Sequence, residues 1–433
     1  MEDKMQRFLY CILLSFLSFG LLPQAARKQE LVKLISETKH DSLKCLYLVE
    51  LIENETDNTI WPSYNADLKQ ITLKHLNSSD GNEVDHFYLS KYADALVNEG
   101  FLMQQNSKLS EALQLYKQGL DIKLDLKLRK ESSVILINIG FLFQETADYP
   151  KAYKYYKRAL AIQEELNDKE NAAVTLMNLA SISLSQDDST QYAVLVEKAL
   201  EYRIGINDKR GTARCYNALA VIEGNKKDRS KAFYYLNKAI AINKELDDKE
   251  GLGNSYNNLG GLYFREGDLD KSSLYFNIAY KLNVEVKDNG SSSTSLKNLG
   301  DISFKKGDFQ QAHEYYLKAL EKARYSGIIL AQERAATGLV RSSEALNLKK
   351  EISLYRNLAE KLTDSVERKV NIQLAGLTRL LDPDSNLTPD PALTSSKVVQ
   401  SNIPSYGLVI ILSLCAIILI LSFIYFKRKK GST

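Results

Sequence analysis

Apolar positions along this chain fall into stripes with helical spacing. Leu136, Ile139 and Phe143 stand at i, i+3 and i+7 and share one face of a helix. After the polar stretch "TADY", a second stripe follows at Ala152, Tyr156 and Ala159. The second stripe returns at Ala232, Leu236 and Ala239, and again at Ala312, Tyr316 and Ala319. Framed from residue 91, seven blocks of forty residues reach residue 370 without an insertion. This period predicts an all-α chain of helical hairpins, a solenoid in which each unit buries its apolar face only against its neighbours.

In six of the seven blocks one position stays small: Gly100, Gly140, Ala180, Ala220, Gly260 and Gly300. Such a residue lets a neighbouring helix approach closely. The motifs "NDKE" at 167–170 and "DDKE" at 247–250 place Asn or Asp three residues before Glu. That spacing predicts a capping box at the start of the next helix. Residues 27–90, with "LKCLYLVELIENE" and "IWPSYNADLKQITLKHL", predict a helical cap, one atypical hairpin closing the array.

The Leu-Gly pairs at Leu259-Gly260 and Leu299-Gly300, the large residues Tyr256 and Tyr263, and the Ala-aromatic-Ala stripe resemble the tetratricopeptide repeat. The resemblance is to its forty-residue variety with a lengthened second helix, and it covers 91–370. It departs at Tyr192, Ile352 and Arg356, and the proline common after the second helix is missing. What it implies is a superhelix with a concave groove that binds protein or peptide partners.

The two ends read differently from the body. "FLYCILLSFLSFGLL" at 8–22 follows Lys4 and Arg7, so 1–26 is expected to be a signal peptide or an uncleaved signal anchor. Residues 406–426 are 21 residues without a charge, enough for one transmembrane helix, and Lys427, Arg428, Lys429 and Lys430 follow at once. The positive-inside rule then puts the tail at 427–433 in the cytoplasm and the body outside it, in the periplasm of a single-pass inner-membrane protein. Residues 371–381 would end a juxtamembrane helix. Four of the seven prolines fall at 383–404, which marks 382–405 as a linker. The layout resembles the periplasmic sensory portion of Bacteroidetes-type membrane signalling proteins, without the output domain that usually follows the span.

Composition narrows the chemistry. The chain is 44% hydrophobic and 26% charged, as expected of a folded protein. Its net charge of +3 comes from the four basic residues at 427–430. The body is close to neutral and has no basic stripe, which argues against nucleic acid as a partner. His40, His75, His86 and His313 are scattered, and "HEYYL" at 313–317 lacks the second histidine of a zinc-protease helix. "GLG" at 251–253 follows a charged loop rather than a strand, and "DPDSNLTPDPAL" at 382–393 lacks the Gly and final Glu of a calcium loop. No catalytic residue, metal site or cofactor is expected. Cys45 and Cys215 are expected to be buried free thiols, an intermolecular disulfide being the alternative.

One polar signal remains. Asn98, Asn138, Asn178, Asn258 and Asn298 recur at the same block position, off the main apolar stripe. By resemblance they face the groove, where a ladder of amides could both donate to and accept from an extended peptide backbone. The alternative is that these asparagines tie neighbouring repeats together. The 211 block breaks register, with Asn217 followed by Ala218. Asn257, Lys297, Asp301, Lys305 and Arg214 flank the same face by helical phase, and their mixed signs predict neither a simple acidic nor a simple basic ligand. Two functions follow: a membrane-tethered scaffold binding partners in the groove, or a receptor coupled to a separate cytoplasmic kinase or transcription regulator.

Overall fold

A computed structural model describes residues 24–380 apart from 56, 79–84 and 227–228. Most of the signal segment, the linker, the span and the tail lie outside the described residues. Among the described residues there are seventeen α-helices and no strand. Three come first: α1 (Gln24–Glu37), α2 (Asp41–Asn54) and α3 (Trp61–Ser78). Seven hairpins follow. Their first helices are α4 (His86–Gln105), α6 (Arg129–Glu145), α8 (Lys169–Ser185), α10 (Lys209–Glu223), α12 (Lys249–Glu266), α14 (Asn289–Lys305) and α16 (Ile329–Ala345). Their second helices are α5 (Leu109–Asp125), α7 (Tyr149–Glu165), α9 (Ser189–Gly205), α11 (Ser230–Glu245), α13 (Leu269–Glu285), α15 (Phe309–Ser326) and α17 (Lys349–Leu380).

Where the sequence predicts one atypical hairpin over 27–90, three helices stand. The break before α3 falls at "TIWP", and Pro62 is tolerated there because a helix's first turn needs no amide donor. Leu31, Tyr47 and Leu51 form one small core of this cap, and Cys45, Leu48, Leu68, Tyr88 and Ala95 carry it onto α4.

The loops repeat at half the sequence period. A left-handed residue ends the preceding helix at Ser107, Lys127, Ala147, Asn167, Asp187 and Asn207, then at Asp247, Gly267, Lys287, Gly307, Gly327 and Asn347. At most of these loops the next residue is an Asp that caps the following helix. Asp168 accepts from the Asn171 amide at 3.3 Å and Asp248 from that of Gly251 at 2.9 Å. This corrects the expected capping box: the cap sits one residue later than Asn167 and Asp247. Those two residues are left-handed, at φ 53° and 48°, and terminate the previous helix. Glu170 and Glu250 therefore fall one position short of the reciprocal contact.

The small position has a specific partner. A Cβ on Gly140 would stand 2.7 Å from the Tyr156 ring, on Gly100 2.8 Å from Tyr116, on Gly260 2.9 Å from Phe276 and on Gly300 2.6 Å from Tyr316. Where the position is Ala180 or Ala220, the equivalent partner is the smaller Val196 or Leu236. Glycine thus goes with an aromatic ring and alanine with an aliphatic side chain, so the volume of the pair is conserved at close packing. All six partners are buried.

The last helix is unlike the others. α17 runs for 32 residues, packs on α16, and also lies against α5 and α6 near the start of the array.

Candidate functional site

Successive first helices touch one another, α6 with α8, α10 with α12, α12 with α14 and α14 with α16. They form the inner lining of the array. Between α12 and α14 this lining opens into a depression of about 340 Å³. Asn257, Asn258, Lys297, Asn298 and Asp301 all line it, so five of the residues singled out in the sequence converge at one place. Val221, Phe264 and Phe276 give it an apolar wall. Arg214 and Asn217 instead line a smaller polar pocket, about 220 Å³, beside Asp248 and Asn254. Lys305 is exposed, with its Nζ over the Phe264 ring at 4.8 Å from the centroid.

The asparagines divide into two sets by what they bond. Asn98 Nδ2 donates to Asn65 Oδ1 at 3.0 Å, Asn298 Nδ2 to Asn257 Oδ1 at 3.2 Å, and Asn217 Nδ2 to Ser255 Oγ at 2.9 Å. These amides tie one helix to its neighbour. Asn138, Asn178 and Asn258 make no side-chain hydrogen bond among the described residues, and each is half-buried. An amide at a partly dry surface with unspent donors and acceptors is a ready partner for a peptide backbone.

The charges also sort themselves. Lys297 and Asp301 face each other at 2.6 Å, one helical turn apart. Asp301 accepts in addition from the Tyr316 hydroxyl at 2.7 Å, and burial beside this carboxylate pushes the Tyr316 phenol well above its ordinary range. Arg265, which also lines the depression, escaped the sequence reading. It stands seven residues after Asn258, on the same helical face, but it does not recur from block to block as the asparagines do.

A second polar cluster looks catalytic in outline. His313 Nδ1 lies 3.0 Å from Ser342 Oγ, and Nε2 lies 3.0 Å from Glu351 Oε2. Ser342 is fully buried and its hydroxyl also stands 3.1 Å from the carbonyls of Gly338 and Leu339. The three groups join α15, α16 and α17. Among the described residues no three His, Cys, Asp or Glu side chains are placed to hold a metal ion. Nor is any described helix long and apolar enough to cross a membrane.

Cys45 and Cys215 are buried and unbridged. Burial pushes the Cys45 thiol up to about 12 and that of Cys215 to about 11.

Comparison with known proteins agrees with this architecture. The tetratricopeptide repeat family pattern matches residues 131–191 and 251–324. No curated protein matches the chain. Among solved structures, a Rap protein complexed with competence and sporulation factor superimposes with a TM-score of 0.50 at 15% identity, covering 78% of this chain and 97% of that one. The apo form of RapI gives 0.51 at 16% identity, covering 65% and 97%. At such identities the likeness is one of fold, and no catalytic family is indicated. Residues 131–191 and 251–324 thus match the tetratricopeptide repeat, and the described residues form a helical solenoid similar in fold to those of the Rap proteins.

Proposed function

We propose that this protein is a membrane-tethered, periplasm-facing scaffold that binds protein or peptide segments in the concave groove of its repeats. The observation that carries the reading is the depression between α12 and α14. There the unspent amide of Asn258 stands beside the Asn257–Asn298 pair, the Lys297–Asp301 ion pair and an apolar wall. Such a lining suits an extended chain: amides take the backbone and the Phe264, Phe276 and Val221 side take apolar side chains. The Rap solenoid complexed with competence and sporulation factor gives a precedent in fold for a ligand on such an array. Membrane attachment and orientation rest on the sequence of 406–430 alone.

The test is photo-crosslinking of the intact protein in its own membrane, compared with a triple Asn138→Ala, Asn178→Ala, Asn258→Ala variant. Loss of the captured partner at an unchanged unfolding midpoint supports the groove. Capture of the same partner at the same yield refutes it. A reporter fused after residue 433 that is active only outside the cytoplasm would overturn the orientation.

A receptor reading is favoured by α17. This helix joins the last repeat to the segment leading toward 406–426 and also lies against α5 and α6. Ligand-driven widening of the array would move it. A separate cytoplasmic kinase or transcription regulator would then be the partner that reads the movement.

A further inference from the structure

We propose that the depression between α12 and α14 is a subsite for an acidic side chain of the bound segment, received by Arg265. This rests on the reading of the groove as a peptide site and adds to it the chemistry of one residue of the ligand.

The argument starts from which charges are already spent. Among the described residues Asp301 is the one carboxylate lining the depression. It faces Lys297 at 2.6 Å and Arg341 at 3.6 Å, and it accepts from Tyr316. The mixed signs visible in the sequence therefore cancel largely among themselves. Arg265 is left over: no carboxylate pairs with it among the described residues. The adjacent Glu266 is taken by Arg229, whose Nε also donates to the Gly224 carbonyl at 3.1 Å.

Arg265 is exposed, but one side of its guanidinium is covered. Its Nη2 would lie 2.6 Å from a Cβ added at Gly224, so the guanidinium rests against the backbone at the end of α10. Burial there and, secondarily, the like charge of Arg229 hold the Arg265 pKa below its ordinary value. A positioned cation with a like-charged neighbour and no counter-ion gains from an incoming carboxylate, which it can grip in a two-point fork. Lys305, over the Phe264 ring, adds a second cation at the same edge. Asn258, two helical turns before Arg265, is placed to hold the backbone of the same segment.

The experiment uses the full-length protein in detergent and three fluorescent nonapeptide libraries, acetylated and amidated at their ends. Their central residue is fixed as Glu, Gln or Lys and the other positions are randomised. The expected result is about tenfold tighter binding of the Glu library than of the Gln library, a preference that shrinks as salt is raised. Arg265→Gln should abolish the preference, the Glu library losing about tenfold relative to the Gln library. Gly224→Ala, which displaces the guanidinium without removing it, should weaken the preference in the same direction. Asn258→Ala should weaken all three libraries alike. Binding that responds to Asn258→Ala but shows no Glu preference overturns the acidic subsite and leaves the groove reading standing. A preference that appears only when the chain end is a free carboxylate also overturns it. No binding of any library sinks the groove reading and the subsite together.

Discussion

Asn298 donates its side-chain amide to Asn257 Oδ1 at 3.2 Å, joining two helices whose sequence positions are 41 residues apart. The neighbouring Asn258 takes no part in that bond. Two asparagines that look equivalent in the sequence and both line the depression thus differ in bonding: Asn298 joins neighbouring repeats, and Asn258 makes no side-chain hydrogen bond among the described residues.

That division predicts different costs. Asn298→Ala leaves Asn257 Oδ1 without its donor and should lower stability by about 0.5–1.5 kcal/mol. Asn258→Ala should change stability by no more than about 0.5 kcal/mol. Denaturant unfolding of both variants beside the partner-capture assay separates the two. A stability loss at Asn258 equal to that at Asn298 would contradict the assignment.

The glycine-aromatic pairing predicts a coupled pair. Gly140→Ala drives a methyl to within 2.7 Å of the Tyr156 ring and should cost about 1–3 kcal/mol. Combining it with Tyr156→Val reproduces the Ala180 and Val196 pairing already present in this chain. The double variant should be more stable than the sum of the single effects, by at least about 0.5 kcal/mol in a thermodynamic cycle.

Loop geometry predicts opposite signs at two equivalent positions. Gly267 has φ +84°, so Gly267→Ala should cost about 1 kcal/mol. Ala147 already has φ +57°, and Ala147→Gly should be neutral or stabilising by up to about 1 kcal/mol. Thermal unfolding reports both, and a loss at Ala147→Gly equal to that at Gly267→Ala would refute the shared geometry.

The caps predict acid sensitivity. Burial pushes the Asp168 carboxyl up, but hydrogen bonds from Asn171 and the ion pair with Lys130 outweigh it and hold the carboxyl below its ordinary value. Asp268 is lowered by the Lys271 amide and ammonium. A carboxylate with a lowered folded-state pKa contributes stability that is complete above its unfolded value, about 3.9, and is lost as pH falls below it. Unfolding midpoints should therefore hold between pH 7 and pH 5 and decline below about pH 4. Asp168→Asn keeps an acceptor for the Asn171 amide and should flatten part of that decline.

The thiols predict silence. With Cys45 pushed up to about 12 and Cys215 to about 11, neither should be alkylated in the folded protein at pH 8, and both should react in denaturant. Peptide-resolved mass spectrometry of the intact chain reads each site separately. Rapid labelling of Cys215 in the native state would show that its surroundings open.

What was legible in the sequence follows from what a side chain can announce by itself. The forty-residue period and the small position at Gly140 and its equivalents read directly, because apolar spacing and size are properties of single letters. The division among the asparagines did not, because the partners Asn65 and Ser255 lie on neighbouring helices 33 and 38 positions away. The twenty-residue loop period was hidden as well. Its left-handed positions hold Ser107, Lys127, Ala147, Asn167, Asp187 and Gly267, residues that share a backbone angle and no side-chain chemistry. For the same reason the cap was read one position early at Asn167. Arg265 was within reach, since it shares the helical face of Asn258, but a single arginine carries no recurring signal.

The contact of α17 with α5 and α6 changes what kind of object the array is. A linear stack of repeats has two free ends, each with one neighbour, and it melts inward from them. Here the terminal helix gives the opening repeats a further neighbour besides the cap and the next repeat, so the two ends of the repeat array are tied by a long-range contact. Fraying of the terminal helix would give up that contact. A partner that enters by prying the turns apart works against a latch rather than against a spring.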